Sequence, residues 1–262
     1  MSVILHISDP HFGTEQLPVA RALMQLAERV EPDLVVLSGD ITQRARSAQF
    51  RAARGFMDRL PAPRLVLPGN HDIPLFNLWA RLWNPYARHR AAFGDTLEPA
   101  FNSSDLLVLG VNTTRPGRHK NGEVSSAQVA RVAGQLARAT PQQLRVVVVH
   151  QPIEVLRPQD AHDRLIGHTA AQEAWAAAGA DIVLGGHIHL PYVMALPALP
   201  RPMWAVQAGT AVSSRVRPGA PNSVNLVRWD AAEGSCVVEQ WDHAVAEQAF
   251  VQVRVTRLQP ER

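Results

Sequence analysis

The chain has 262 residues, 46% of them hydrophobic, and its 26 Lys and Arg against 23 Asp and Glu give a net charge of +3. That apolar share supplies a packed core and excludes a disordered chain. The near-balance of charge, with no basic run, argues against a nucleic-acid arm, and no apolar run is long enough to span a bilayer.

Val3 to Ile7 forms a short apolar run that ends at Ser8-Asp9-Pro10-His11. Leu17, Ala20, Met24, Ala27 and Val30 then recur at helical spacing. Leu34 to Leu37 predicts a second strand, closed by Ser38-Gly39-Asp40. A helix over about 46–59 follows, and Leu65 to Leu67 predicts a third strand, closed by Pro68-Gly69-Asn70. This β-α-β-α-β order is the pattern of an α/β sheet. Residues 74–103 are less regular, and there Trp79, Trp83 and Tyr86 read as core packing, with a cover for the site or a dimer contact as alternatives.

Leu106 to Val111 resumes the strand pattern, and Val129, Val132, Ala133 and Leu136 mark another amphipathic helix. Val146 to Val149 is wholly β-branched and runs into His150. Residues 169–178 read as an Ala-rich helix, and Ile182 to Leu184 as a strand that ends at Gly185-Gly186. After 190 helical periodicity fades, and strands are expected near 203–207, 223–229, 235–241 and 249–257, with a hairpin turn at Ala231-Ala232-Glu233-Gly234. No linker divides the chain. The expectation is one α/β domain over 1–262, with residues 190–262 completing a second sheet. Cys236 is the only cysteine; it supports no internal disulfide and reads as a core residue. Met1 to His6 lacks the charged and long apolar regions of a secretion signal, so a cytoplasmic protein is expected.

Asp9, Asp40, Asn70, His150 and His187 each lie just after a predicted strand. Ligands of open α/β sheets bind at the carboxyl ends of strands, so fragments distant in sequence can meet at one edge. Asp9/His11 and His187/His189 are each two residues apart, and in an extended segment such pairs point to the same side. Asp40 offers two oxygens for bridging, and Asn70 a neutral carbonyl oxygen. A set of Asp, Asn and His without thiolate suits two ions of the Mn, Fe, Zn, Co or Ni type.

The order Asp9-x-His11, Gly39-Asp40, Gly69-Asn70-His71-Asp72, His150, Gly186-His187-x-His189 resembles the calcineurin-like metallophosphoesterase superfamily. In layout, and in Ser8-Asp9-Pro10-His11-Phe12-Gly13, the chain is similar to its bacterial cyclic-nucleotide and glycerophosphodiester phosphodiesterases. The resemblance implies a two-sheet β-sandwich flanked by helices, a four-layer αββα arrangement. It also implies two divalent or trivalent metal ions of the Mn, Fe or Zn type. One is held by Asp9, His11, Asp40 and His189. The other is held by Asp40, Asn70, His150 and His187. His71 then faces the substrate as the catalytic proton donor, and Asp72 orients it.

The chemistry implied is hydrolysis of a small phosphodiester by hydroxide that the metals activate. A phosphomonoesterase, a nuclease and a non-catalytic metal-binding scaffold are the alternatives; the modest net charge counts against the nuclease. Asn112 and Arg115, after the 106–111 strand, and His168, in the loop beyond His150, are candidate substrate contacts. Thr210, Ser213, Ser214 and Arg215 follow a strand after His187-x-His189 and are candidate neighbours of the site. His6, His89, His119 and His243 belong to no motif and read as structural or solvated. The positive charge is nearly all arginine, with Lys120 the only lysine; Arg44, Arg46, Arg51 and Arg54 read as a solvated helix face. The partner expected is a small phosphoester, without membrane or nucleic acid; a homo-oligomer is left open.

Overall fold

The computed structural model describes residues 1–261. The chain starts as β1 (Ser2–Ile7), crosses through α1 (Leu17–Val30) to β2 (Leu34–Leu37), and through α2 (Ser47–Met57) to β3 (Arg64–Val66). Helical crossovers make these three strands parallel neighbours. A 3-10 turn over Asn70–Asp72 and two short helices, α3 (Leu78–Trp83) and α4 (Ala87–Phe93), lead to a hairpin of β4 (Ala100–Asn102) and β5 (Leu106–Gly110). Then come α5 (Ser126–Leu136), β6 (Leu144–Val148), α6 (His168–Ala177), β7 (Ile182–Gly185), β8 (Tyr192–Ala195) and β9 (Trp204–Gln207). The last strands are β10 (Ser223–Asp230), β11 (Ser235–Ala244) and β12 (Ala249–Leu258).

Helix ends follow local chemistry. Ser125 opens α5 with a capping box: the Gln128 N–H donates to Ser125 Oγ, and Gln128 Oε1 accepts the Ser125 N–H. Pro18 sits in the first turn of α1, where its missing N–H costs no helical bond.

Two six-stranded sheets result, in the orders β12-β11-β10-β1-β2-β3 and β4-β5-β6-β7-β9-β8. Side chains alternate between the faces of each strand. Leu5 and Ile7 of β1, with Val35 and Leu37 of β2, meet Leu23 and Leu26 of α1 and Phe50 of α2. Val147 and Val183 of the second sheet meet Val132 of α5 and Trp175 of α6. The opposite residues, Ile4, Leu34 and Val36 of one sheet and Val108, Val146 and Leu184 of the other, pack face to face. This is the four-layer αββα sandwich that the resemblance implies.

The topology departs from expectation after 190. Only β8 and β9 join the second sheet; β10, β11 and β12 return to the first. β10 pairs antiparallel with β1 in the register Leu5↔Leu226, and this places Leu226 beside the α1 layer. A hydrophobic pattern specifies a strand's buried faces and leaves open which of two sheets it joins. β4 and β8, of three and four residues, lie at sheet edges and carry too short an alternation to read. Cys236 is buried in β11, as expected.

Among the described residues no helix is long and apolar enough to cross a membrane.

Candidate metal centre

Asp9, Asp40, Asn70, His150 and His187 follow β1, β2, β3, β6 and β7, so the carboxyl ends of the parallel strands of both sheets supply them. Backbone bonds lace these loops together. The Asp9 N–H donates to Gly39 O (3.1 Å), the His11 N–H to Asp40 O (3.1 Å) and the Gly186 N–H to His150 O (2.9 Å).

The ligand pairs do not sit in extended backbone, however. Asp9, His11, Asp40, His187 and His189 all have positive φ, between 40° and 73°. Such a residue costs about 1–3 kcal/mol, comparable to the ~1.5–3 kcal/mol from burying one large apolar side chain. The surrounding sandwich has to hold it there. The outcome corrects the extended backbone expected for the pairs; Asp9 and His11 share a cluster, and His187 and His189 reach toward different ones, the division that the resemblance implies.

Two clusters of donor atoms form. Asp9, His11 and His189 make one; Asp40, His150 and His187 make the other, the donors in each lying within 4.8 Å of one another. Asp40 faces both. Its Oδ1 lies 3.2 Å from His150 Nε2, and its Oδ2 lies 3.7 Å from His11 Nε2. Asn70 Oδ1 lies 3.2 Å from His150 Nε2, on the side of the second cluster. All seven residues assigned from the sequence therefore converge.

The donors suit cations. Asp9 Oδ1 and both ring nitrogens of His187 are buried without a hydrogen-bond partner, an arrangement that is costly unless something else satisfies them. Backbone carbonyls direct the imidazoles: His150 Nδ1–H donates to Ser38 O (3.0 Å) and His189 Nδ1–H to Arg215 O (2.6 Å), which leaves each Nε2 for the cluster. Two glycines make the close approach possible. A methyl group at Gly69 would overlap the Asp40 amide and carboxylate, and one at Gly186 would overlap Ser8 Oγ.

Burial alone would push the Asp9 and Asp40 carboxyls up. The imidazoles around them, His189 beside Asp9 and His150 beside Asp40, hold both below the usual carboxylate range. Burial depresses His11 to about 3. Burial also opposes the charged form of His150, but the adjacent Asp40 prevails and raises it to about 9.

A metal takes only the neutral ring, so loading at pH 7 must expel the His150 proton. Affinity is expected to rise with pH between about 7 and 9 and to fall below that range. Calorimetric titration of Mn2+ in buffers of different ionisation enthalpy measures the release; loading without proton release at pH 7 would contradict it.

His71 lies beside the clusters and outside their donor sets. Its Nδ1–H donates to Gln43 O (3.0 Å), and its Nε2 lies 3.3 Å from Arg215 Nη1. Asp72 does not orient it, contrary to expectation. The Asp72 carboxylate is buried and accepts the N–H groups of Ile41, Thr42 and Gly69 and the Thr42 hydroxyl. Burial and the Asp40 charge push it up to about 6, against those donors. Asp72 thus clamps the Gly69 turn to the loop after β2, because the Ile41, Thr42 and Gly69 amides converge on its buried carboxylate.

A cavity of about 240 Å³ opens over the clusters, lined by Asp40, Asn70, His71, His119, Lys120, His187, His189 and Arg215. The predicted substrate contacts are elsewhere. Asn112 Oδ1 accepts from the Thr114 N–H and hydroxyl. Arg115 is held by the Asn112 and Thr114 carbonyls and Gln128. The His168 Nδ1–H donates to Leu165 O at the start of α6. Each is consumed by its own loop.

His119, Lys120 and Arg215 take their place. The position of Arg215 bears out the expectation for the 210–215 segment: Thr210 Oγ1 donates to Arg215 O, the carbonyl that also directs His189. Asp163, 3.6 Å from His187 Nε2 and paired with Lys120 at 2.5 Å, has no motif around it. Lys120 carried one signal, as the lone lysine of an arginine-rich chain. His6, His89 and His243 are buried away from the cavity, so only His119 departs from the reading of the four unassigned histidines.

A family model of the calcineurin-like phosphoesterases matches residues 2–191. The chain belongs to that family. It is 26% identical over 202 residues to a cAMP/cGMP dual specificity phosphodiesterase of Mycobacterium tuberculosis, covering 71% of this chain and 61% of that protein. It is 27% identical over 164 residues to a glycerophosphodiester phosphodiesterase of Enterobacter lignolyticus, covering 58% and 57%. The matches thus span about three fifths of these relatives' lengths. A dimetal phosphatase from Danio rerio has the same fold, with a TM-score of 0.69 and 13% identity over 99% of both chains.

Proposed function

We propose that the chain is a dinuclear-metal phosphoester hydrolase whose substrates are small phosphodiesters. The observation that carries this reading is the placement of Asp40, with one carboxylate oxygen toward each donor cluster. A shared carboxylate between two His-rich clusters supports a pair of cations bridged by one anion. Asp9, His11 and His189 would hold the first and Asn70, His150 and His187 the second, and the oxygen and imidazole donors suit Mn, Fe or Zn. Bound there, the pair supplies the charge that makes water nucleophilic at neutral pH and neutralises phosphoryl oxygens.

The protein's own groups do the rest. Arg215 lies over the cavity, 3.0 Å from Gln43 Oε1, and its guanidinium is placed to donate to a phosphoryl oxygen. Lys120 and His119 supply donors to the same cavity. His71 keeps its Nδ1–H on the Gln43 carbonyl and, in its doubly protonated form, gives the Nε2 proton to the departing alkoxide, which leaves the neutral ring. The phosphodiesterase relatives favour a diester over a monoester.

Loaded with Mn2+, the protein is expected to hydrolyse bis-p-nitrophenyl phosphate at least about tenfold faster than p-nitrophenyl phosphate. Turnover of the monoester alone would end the diester reading. A screen over cyclic nucleotides and glycerophosphodiesters then separates the substrate classes.

A further inference from the structure

Trp79 and Trp83 do not pack as core. Tyr86 does, with its hydroxyl 2.8 Å from Thr114 Oγ1. Phe76, Leu78, Trp79, Leu82 and Trp83 are instead 82, 65, 75, 76 and 78% exposed, and no residue of α3 is buried. An apolar surface of this kind marks an interaction site.

The helix is held in place to present that surface. Asn77 Oδ1 accepts the Ala80 N–H (3.0 Å) and caps it. Arg81 ties it to the loop that bears His119 and Lys120, donating to Pro116 O (2.7 Å) and Arg118 O (3.1 Å). Trp79 and Trp83 stack with ring centroids 6.5 Å apart. The exposed face therefore sits beside the mouth of the cavity.

The charge of the segment that carries it has one sign. No Asp or Glu occurs between Asp72 and Asp95, whereas Arg81, Arg88 and Arg90 do. Arg44 reaches over the Phe76 ring, 5.8 Å from its centroid. On the neighbouring loop Arg118 and Lys120 are each ion-paired, with Glu123 and Asp163, and leave the net charge there unchanged.

We propose that this tryptophan-bearing face docks on an anionic phospholipid bilayer. Tryptophan suits the boundary between headgroups and acyl chains, leucine and phenylalanine insert just below it, and the arginines meet anionic headgroups. A second copy fits less well, because a two-fold interface sets a patch against itself and would oppose arginine to arginine. Seated this way, the cavity opens toward the headgroup layer.

The test is co-sedimentation of the full chain with vesicles of equal parts phosphatidylglycerol and phosphatidylcholine, against vesicles of phosphatidylcholine alone. The chain is expected to sediment with the anionic vesicles and to be released by high salt. The double variant Trp79→Ser/Trp83→Ser is expected to bind at least about tenfold more weakly, with its thermal midpoint unchanged because both rings are exposed. Arg44→Glu/Arg90→Glu, which leaves both tryptophans in place, is expected to lose the preference for anionic vesicles. Failure of the wild-type chain to sediment, or binding by either variant equal to that of the wild type, would overturn the proposal. So would a dimer, seen by sedimentation velocity without vesicles, that the tryptophan variant dissociates. None of these readouts depends on hydrolysis.

Discussion

Asp40→Asn is expected to lower the metal content from two ions per chain to at most one and turnover by on the order of a thousandfold or more. The substitution keeps shape and changes one function. An asparagine Oδ1 can still accept the His71 N–H that Asp40 Oδ1 accepts at 2.9 Å. The amide nitrogen would then stand where Oδ2 faces His11, and an amide N–H has no electron pair to give a cation. The negative charge that faces both clusters disappears as well, and with it the attraction that would offset the repulsion between two cations held there. Elemental analysis after Mn2+ loading, beside circular dichroism to show that the fold persists, makes the measurement. Two ions per chain with near-wild-type turnover would contradict the bridging role.

His71→Ala is expected to behave differently. It removes neither cluster's donors, so both ions should stay, while turnover falls by about 100- to 10,000-fold, the range of a general acid. The ring's own bonds support the distinction, since it is tied to the Gln43 carbonyl at Nδ1 and lies near Arg215 at Nε2, and neither nitrogen belongs to a donor group. The loss should shrink for a substrate whose leaving group needs no proton, so bis-p-nitrophenyl phosphate should be less affected than an alkyl diester. Loss of metal from the variant would make His71 a ligand and remove it from the proton-transfer role.

Legibility differs between the metal donors and the cavity wall for a physical reason. Each donor follows a strand whose hydrophobic run is plain in the sequence, and the carboxyl edge of a parallel strand faces the site whatever the loop does next. Asp9, Asp40, Asn70, His150 and His187 could therefore be placed from patterning alone. The wall is built by loops, where polar side chains are captured by their nearest backbone groups. Asp72 turned to the amides of Ile41, Thr42 and Gly69, and Asn112 to Thr114, and neither capture leaves a periodic trace. Arg215 reaches the cavity because its carbonyl and guanidinium are tied to His189 and Gln43.

The same limit applied to the sheets. Strands β10 to β12 were visible as alternations, yet the partner of β10 is set by the tertiary match of Leu226 and Val224 to the α1 layer. Trp79 and Trp83 read as core first and as a cover or dimer contact second, because an apolar side chain on a short helix gives one sequence signal for core and for interface alike.

The direct test of the two-cluster account is the metal stoichiometry of the wild-type chain, measured by elemental analysis after Mn2+ loading and removal of free ion at pH 8. The account predicts two ions per chain, the value falling to one or none in Asp40→Asn. A single ion per chain in the wild type, or none, would contradict a centre in which Asp40 joins the Asp9/His11/His189 group to the Asn70/His150/His187 group.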